Sequence, residues 1–305
     1  MYKAALEIDE RLAKVNPQAF EPDLAYSYNN LGILYGDMQR FDEIEQMKKA
    51  ALEIHKRLAK DNPQAFEPDL AMSYNNLGNL YHKTKRFKES EQMYKSATEI
   101  YERLAKDSPQ AFEPNLATSY ISLGNLYSHT QRFDESEQMY KASLEIYERL
   151  AKNNPQAFEP DLAMTCNNLG SLYYATQRFD ECEQLFKAAL GIRERLAKNN
   201  PQAFEPDLAM TCNNLGILYS DTQRFDESEQ MYKASLEIYE RLAKSNPQAF
   251  VPDLAMSYNN LGALYHDINR FEECEQMHKA ALEIRKRLAK DNPQAFEPDL
   301  AMYFR

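Results

Sequence analysis

Phenylalanines recur at a constant spacing along the whole chain. They stand 46 positions apart, with no insertion or deletion between them, at Phe20, Phe66, Phe112, Phe158, Phe204, Phe250 and Phe296. A fixed period of this length is the sequence signature of an array of stacked helical units. In such an array each unit packs mainly against its neighbours, so one central core is not expected. The period therefore predicts an all-α repeat architecture.

The period divides the chain into full and partial units. We place the full units at residues 22–67, 68–113, 114–159, 160–205, 206–251 and 252–297. Residues 1–21 match the second half of a unit with its linker, and residues 298–305 match the start of a seventh unit. We treat residues 1–305 as one domain. Because the first residues match the middle of a helix, we expect the sequence to be a fragment of a longer array.

Each unit is predicted to contain two helices, A and B. In the second full unit, helix A is predicted to begin at Pro68, because a proline and a following acid both favour the first turn of a helix. It runs to about Lys83, and helix B runs from about Phe87 to Lys106. The segment DNPQAFEP then forms a linker, in which we place all 14 prolines of the chain. Phe66 is expected to pack from this linker between successive hairpins.

The predicted helix A has two distinct faces. At about 100° per residue, Ala71, Leu77 and Tyr81 lie on one face, and Met72 and Asn76 lie on the opposite one. The first set is apolar and the second is mostly polar. We therefore expect the first face to pack against other helices and the second to be free for binding.

A glycine recurs inside every full helix A, as at Gly78. A glycine in the middle of a helix costs about 1 kcal/mol relative to alanine. Its repetition therefore predicts that helix B of the same unit approaches too closely for a Cβ atom.

The spacing of Leu77, Gly78, Tyr81, Phe87 and Ala97 resembles that of the tetratricopeptide repeat. The resemblance covers essentially the full chain. The long unit and its NNLGNLY run are similar to the long-repeat class found in kinesin light chain and in bacterial arrays. This resemblance implies an α-solenoid, a right-handed superhelix of antiparallel helical hairpins. It also implies a non-enzymatic scaffold that binds a protein or peptide in a concave groove lined by the A helices.

Composition and motifs disfavour several classes of function. The net charge of −11 argues against nucleic-acid binding, which needs clustered Lys and Arg. No apolar run is long enough to span a bilayer, and we expect a cytoplasmic location without membrane contact. Nucleotide-binding and hydrolase motifs are absent, so no catalytic residues and no cofactor are predicted.

Cysteines and histidines are interpreted as structural residues. The cysteines replace core-facing residues of other units and lack CxxC spacing, which favours buried, reduced thiols at Cys166, Cys182, Cys212 and Cys274. The histidines are scattered over different positions of the unit, so no metal site is predicted for His55, His82, His129, His266 and His278.

A pair of asparagines recurs on the polar face of helix A. Each side chain offers both donors and an acceptor, so a row of them could bind the backbone of an extended peptide. Around this row the side chains vary between units, which would provide sequence selectivity. The predicted peptide-binding residues are Asn29, Asn30, Asn75, Asn76, Asn79, Asn167, Asn168, Asn213, Asn214, Asn259, Asn260, Tyr26, Met72, Met164, Met210 and Met256. The third full unit lacks the asparagines and has Ile121 and Ser122 instead.

Alternatives remain open at this level. The asparagines could tie neighbouring A helices together instead of binding a ligand. The chain could also be the sensor or regulatory arm of a larger signalling ATPase or protease, or a purely architectural spacer. Finally, unmatched apolar residues at the two ends, such as Tyr2, Ile8, Leu300 and Phe304, predict end-to-end self-association of the fragment.

Overall fold

A computed structural model describes residues 2–38, 40–293 and 297, and the side chains of Tyr2 and Asp37 are not described. Within these residues the chain forms helices and no strands. The A helices are α2 (Pro17–Asp37), α4 (Pro63–Lys83), α6 (Pro109–His129), α8 (Pro155–Ala175), α10 (Pro201–Asp221) and α12 (Pro247–Asp267). The B helices are α1 (Tyr2–Val15), α3 (Phe41–Asp61), α5 (Phe87–Asp107), α7 (Phe133–Asn153), α9 (Phe179–Asn199), α11 (Phe225–Ser245) and α13 (Phe271–Asp291).

The chain divides into two compact units, Met1–Asn153 and Asn154–Arg305. We call them the first and second half. In each half, every helix packs against the helix that follows it in sequence. A helices also touch one another directly, α4 with α6 in the first half, and α8 with α10 and α10 with α12 in the second. The predicted all-α repeat solenoid of helical hairpins is confirmed, whereas the predicted unit boundaries stay predictions.

The predicted start of helix A is wrong by more than one turn. Helix α4 begins at Pro63, after a single non-helical residue, Asn62, whose Oδ1 accepts a hydrogen bond from the Ala65 amide at 3.3 Å. Pro68 therefore lies inside the helix, and both prolines of each A helix are helical rather than in a linker. Near the helix start this is tolerable, because the proline deprives only the exposed Gln64 carbonyl of its intrahelical donor.

The turn from helix A to helix B is short, as predicted. Lys85 adopts a positive φ of 60°, and the Arg86 amide donates to the Tyr81 carbonyl at 2.8 Å. The Arg86 guanidinium lies 4.1 Å from the centre of the Tyr81 ring and forms an ion pair with Glu45 at 2.6 Å. A positive φ, an aromatic contact and two charges thus define this turn.

The recurring glycine does lie at the contact between helices A and B. A Cβ added to Gly78 would stand 2.6 Å from ring carbons of Tyr94, a buried residue of α5. The Ser90 hydroxyl of the same helix donates to the Gly78 carbonyl at 2.9 Å. The close approach is therefore made by an aromatic side chain and a hydroxyl, and not by the backbone of helix B.

Phe66 packs where the sequence predicted, although it belongs to α4 and not to a linker. It contacts a buried cluster that includes Ala25, Ile54 and Leu58 of the preceding hairpin. The equivalent Phe296, with Leu300 and Phe304, lies outside the described residues.

Candidate functional site

One stripe of each A helix faces away from the packed interior. In α10 it consists of Asp207, Met210, Asn214, Ile217 and Asp221, which follow one another at steps of three or four residues and are exposed or half-buried. Because these steps match the helical period, the side chains share one side of the helix. We call this stripe, with the equivalent residues of the other A helices, the A face.

Flexible apolar side chains lie on the A face. The side chains of Met72, Met210 and Met256 are 45%, 38% and 41% exposed, and Tyr26 is 68% exposed. Met164 is half-buried. Methionine adapts to irregular surfaces because it has three rotatable bonds and a polarisable sulfur. The methionines predicted from the sequence therefore stand where a partner could contact them.

The asparagines of the second half form direct ties between neighbouring A helices. Asn214 Nδ2 of α10 donates to Asn167 Oδ1 of α8 at 3.0 Å, and Asn260 Nδ2 of α12 donates to Asn213 Oδ1 of α10 at 2.7 Å. Asn167 and Asn213 are buried, whereas Asn214 and Asn260 are half-buried. Asn167 and Asn213 thus serve helix packing. The second retains one N–H and its oxygen for other contacts.

Five further asparagines of the predicted site have the same degree of burial. Asn29, Asn30, Asn76, Asn168 and Asn259 are half-buried on their A helices.

Two asparagines of the first half accept hydrogen bonds from other side chains. Asn75 Oδ1 accepts from the hydroxyl of Ser119 at 3.4 Å, and Ser119 belongs to the third full unit, which lacks the asparagine pair. Asn79 is exposed, but its Oδ1 accepts a hydrogen bond from the Tyr94 hydroxyl at 2.6 Å. Its oxygen therefore contacts the adjacent B helix and is partly satisfied already.

A row of aspartates on the A face was not identified as a site from the sequence. In the second half it consists of Asp161, Asp207 and Asp253, each one turn before a methionine of the stripe. The sequence predicted these acids to lie in the first turn of helix A, where they would favour helix initiation. The recurrence of an acid in register with each methionine was the signal that could have revealed them.

Burial affects two of these aspartates. Desolvation raises the pKa of Asp161 and of Asp253 above the ordinary value of an aspartate. A shift in this direction means that the protein disfavours the charged carboxylate, because water is partly removed without a compensating cation.

One buried cation lies beside the row. Arg193 of α9 is 2% exposed and donates from Nη1 to the Asp207 carbonyl at 3.0 Å and to the Thr211 hydroxyl. Burial lowers the pKa of Arg193, while the Asp207 carboxylate acts in the opposite direction. The equivalent positions of other units hold Tyr101, Tyr147, Tyr239, His55 and Arg285, so the residue type varies between units.

A small open cavity lies at one end of the A face in the first half. It has a volume of about 560 Å³ and is lined by Asn79, His82, Lys83, Lys85, Phe87 and His129. The rings of His82 and His129 meet edge to face with their centres 4.9 Å apart. Burial and the neighbouring His129 lower the pKa of His82. The position occupied by His82 varies between units.

The comparisons with known proteins agree with the repeat pattern. The sequence model of the tetratricopeptide repeat matches residues 23–103, 69–149, 161–241 and 207–287, which together span most of the chain. The chain belongs to the tetratricopeptide repeat family. Membership of this family indicates a scaffold for protein binding. No curated protein matches the chain.

Solved tetratricopeptide-like structures resemble it over most of their length. BtubC (BKLC) from P. vanneervenii is 25% identical, with a TM-score of 0.67 over 81% of this chain and 92% of that one. A putative kinesin light chain with nearly identical repeats from Podosopora anserina is 15% identical, with a TM-score of 0.56 over 74% and 98%. Aspartyl phosphate phosphatase F from Bacillus subtilis is 13% identical, with a TM-score of 0.60 over 90% and 73%. The last two similarities concern the fold alone.

Metal clusters and membrane-spanning helices are absent from the described part of this tetratricopeptide array. No three His, Cys, Asp or Glu residues there are grouped as a metal site would require, and none of the described helices could cross a membrane. None of the four cysteines, all of which are described, forms a disulfide; Cys274 is half-buried and the others are buried. Burial raises the pKa of the Cys182 and Cys212 thiols to about 12, which keeps both protonated at neutral pH.

Proposed function

We propose that this chain is a non-enzymatic scaffold that holds an extended segment of a partner protein against the A face. The observation that carries the proposal is the row of half-buried amides formed by the second asparagine of each pair in the second half. Asn214 and Asn260 each use one N–H for the tie to the neighbouring helix. Their remaining N–H and oxygen match the hydrogen-bonding needs of a peptide backbone, which alternates donors and acceptors.

The apolar part of the binding energy would come from the methionines beside these amides. Met210 and Met256 are more than one-third exposed, so a partner could bury much of their remaining surface. Burial of apolar surface contributes about 25 cal/mol per Å², while the amides fix the direction of the bound backbone. The partner is therefore expected to be an extended peptide segment, and nucleic acid and membrane are not expected to bind.

The test begins with a library of random 12-residue peptides selected on the full chain. Affinities of the enriched peptides are then measured by calorimetry for the wild type and for the double variant Met210→Ala with Met256→Ala. Both side chains are partly exposed, so the fold should tolerate their truncation. We expect the double variant to weaken binding at least tenfold.

A matched control lies on a B helix. Glu237 is exposed on α11, away from the A face, and Glu237→Ala should leave the affinities unchanged. If no peptide is enriched, the chain behaves as an architectural spacer and the proposal fails. Equal losses in the double variant and in the control would also count against the A face as the binding surface.

A further inference from the structure

In the second half, some acidic side chains of the B helices differ from those of the A face in having cationic partners. On the B helices several acids pair with cations of the chain itself, as where Glu183 forms ion pairs with Lys187 at 2.7 Å and with Arg224 at 2.6 Å. On the A face, the described part of the chain supplies no ion pair to Asp161 or Asp253. Glutamates such as Glu183 thus have cationic partners within the chain, whereas Asp161 and Asp253 have none in its described part.

The helix N-terminus does not compensate these aspartates either. Helix α8 begins at Pro155, which places Asp161 beyond the first turn, and the same register holds for Asp207 in α10. The stabilising effect of a helix N-terminus on an acid falls off within the first turn. The observed helix start therefore removes the structural explanation that the sequence offered for these residues.

No lysine or arginine belongs to the A face formed by α8, α10 and α12 in the second half. Its charged members are the three aspartates of the row together with Asp221 and Asp267 at the opposite ends of α10 and α12. Between the two sets lie the methionines and the half-buried amides. The surface is thus apolar and hydrogen-bonding along its middle and negatively charged on both sides.

We infer that the A face of the second half binds an extended peptide segment that carries a lysine or arginine at every third residue. This inference rests on the proposed function and names the chemistry of the partner. Each cation pairs with one aspartate of the row, the aliphatic stem of its side chain lies on the neighbouring methionine, and the peptide backbone contacts the amides.

The spacing follows from the packing of the A helices. Helices α8, α10 and α12 are in direct contact in sequence order, and helices packed in this way lie about 8–10 Å apart. A polyproline II segment rises about 3.1 Å per residue with three residues per turn, so side chains on one of its sides recur about every 9 Å. A cation at every third residue therefore meets an aspartate on each successive A helix. In a β-strand conformation, every third side chain would alternate between opposite sides.

Arg193 provides a second, independent test of the inference. Its buried guanidinium lies beside Asp207 and partly offsets the negative charge at that level of the row. Tyrosine is tolerated at the equivalent positions 101, 147 and 239. The variant Arg193→Tyr should therefore fold and bind the cationic peptide several-fold more tightly than the wild type, a gain that damage to the fold could not produce.

The experiment uses the full chain and synthetic peptides of one length. The first peptide repeats Lys-Pro-Pro five times, the second repeats Glu-Pro-Pro, and the third has the composition of the first with its lysines consecutive. The test variant combines Asp161→Asn, Asp207→Asn and Asp253→Asn. The control variant combines Asp180→Asn, Asp226→Asn and Glu237→Gln, which are exposed residues of B helices and change the net charge equally.

We expect the regular Lys-Pro-Pro peptide to bind at least tenfold more tightly than both other peptides. The test variant should lose at least tenfold in affinity, and the control variant less than twofold. Equal losses in both variants would overturn the inference, because binding would then depend on net charge alone. Equal affinity for the regular and the clustered lysine peptides would also overturn it.

Failure of the inference can be told apart from failure of the proposed function. If random-library peptides bind the A face but the regular Lys-Pro-Pro peptide does not, the cationic specificity is wrong and the scaffold function stands. If neither kind of peptide binds, both are wrong.

Discussion

Adding a single methyl group to equivalent glycines should have opposite effects in two neighbouring units. A Cβ added to Gly78 would lie 2.6 Å from ring carbons of Tyr94, whereas a Cβ added to Gly32 would lie 3.5 Å from its nearest neighbour, Met47 Cβ. The first distance is a severe clash and the second is an ordinary contact. Both glycines lie inside an A helix of the first half, so their backbone environments are matched.

The magnitudes follow from these distances. Replacing a mid-helix glycine by alanine stabilises a protein by about 0.5–1 kcal/mol when there is room, so Gly32→Ala should raise the free energy of unfolding by that amount. Gly78→Ala gains the same stabilisation of the helix backbone, but its methyl group overpacks the contact with Tyr94, at a cost of about 1–3 kcal/mol. The Tyr94 ring cannot easily move, because it is buried and its hydroxyl donates to Asn79. The two variants should therefore differ by about 1–3 kcal/mol.

Urea denaturation followed by circular dichroism measures this difference. Hydrogen exchange of the α4 and α5 amides would show whether the loss is local, which matters because long arrays do not always unfold in one step. The double variant Gly78→Ala with Tyr94→Ala should remove the penalty specific to the alanine side chain. If Gly78→Ala is as stable as Gly32→Ala, the close approach of the ring is not what the glycine accommodates.

Three further predictions concern side chains inside the array. Burial lowers the pKa of His55 below its ordinary value of 6.5, so the unfolded chain takes up the proton first as the pH falls. The stability of the folded chain should therefore fall as the pH drops through about 6.5. Thermal melts of His55→Tyr should show a smaller fall. Asn214→Ala should lower the free energy of unfolding by about 1–3 kcal/mol, because it leaves the oxygen of buried Asn167 without its donor. Asn167→Ile combined with Asn214→Ser should lower it less, and equilibrium unfolding would measure both. Iodoacetamide should label half-buried Cys274 first in the native chain, and mass spectrometry showing uniform labelling of all four thiols would contradict the burial described here.

The sequence by itself determined the elements and their repetition. The 46-residue period, the apolar faces and the glycine at the closest contact identified helical hairpins, and helix B appears within one residue of its predicted end. These features are encoded locally, because a helix needs only its own periodicity and the residues at its ends. The same reasoning failed for the start of helix A. Local signals did not distinguish Pro63, which begins the helix, from Pro68, which lies inside it.

Only the tertiary structure decided what the A-face residues contact. The two asparagines of a pair are the same residue type, yet Asn167 is buried and accepts a hydrogen bond from Asn214 of the next A helix, whereas Asn168 is half-buried. The difference between paired glutamates and unpaired aspartates likewise depends on which helices are adjacent. Contacts between residues 36 to 47 positions apart, such as that from Asn214 to Asn167, depend on how successive hairpins stack. Stacking is set by side-chain packing across helices, and the periodicity of residues within one helix does not specify that packing.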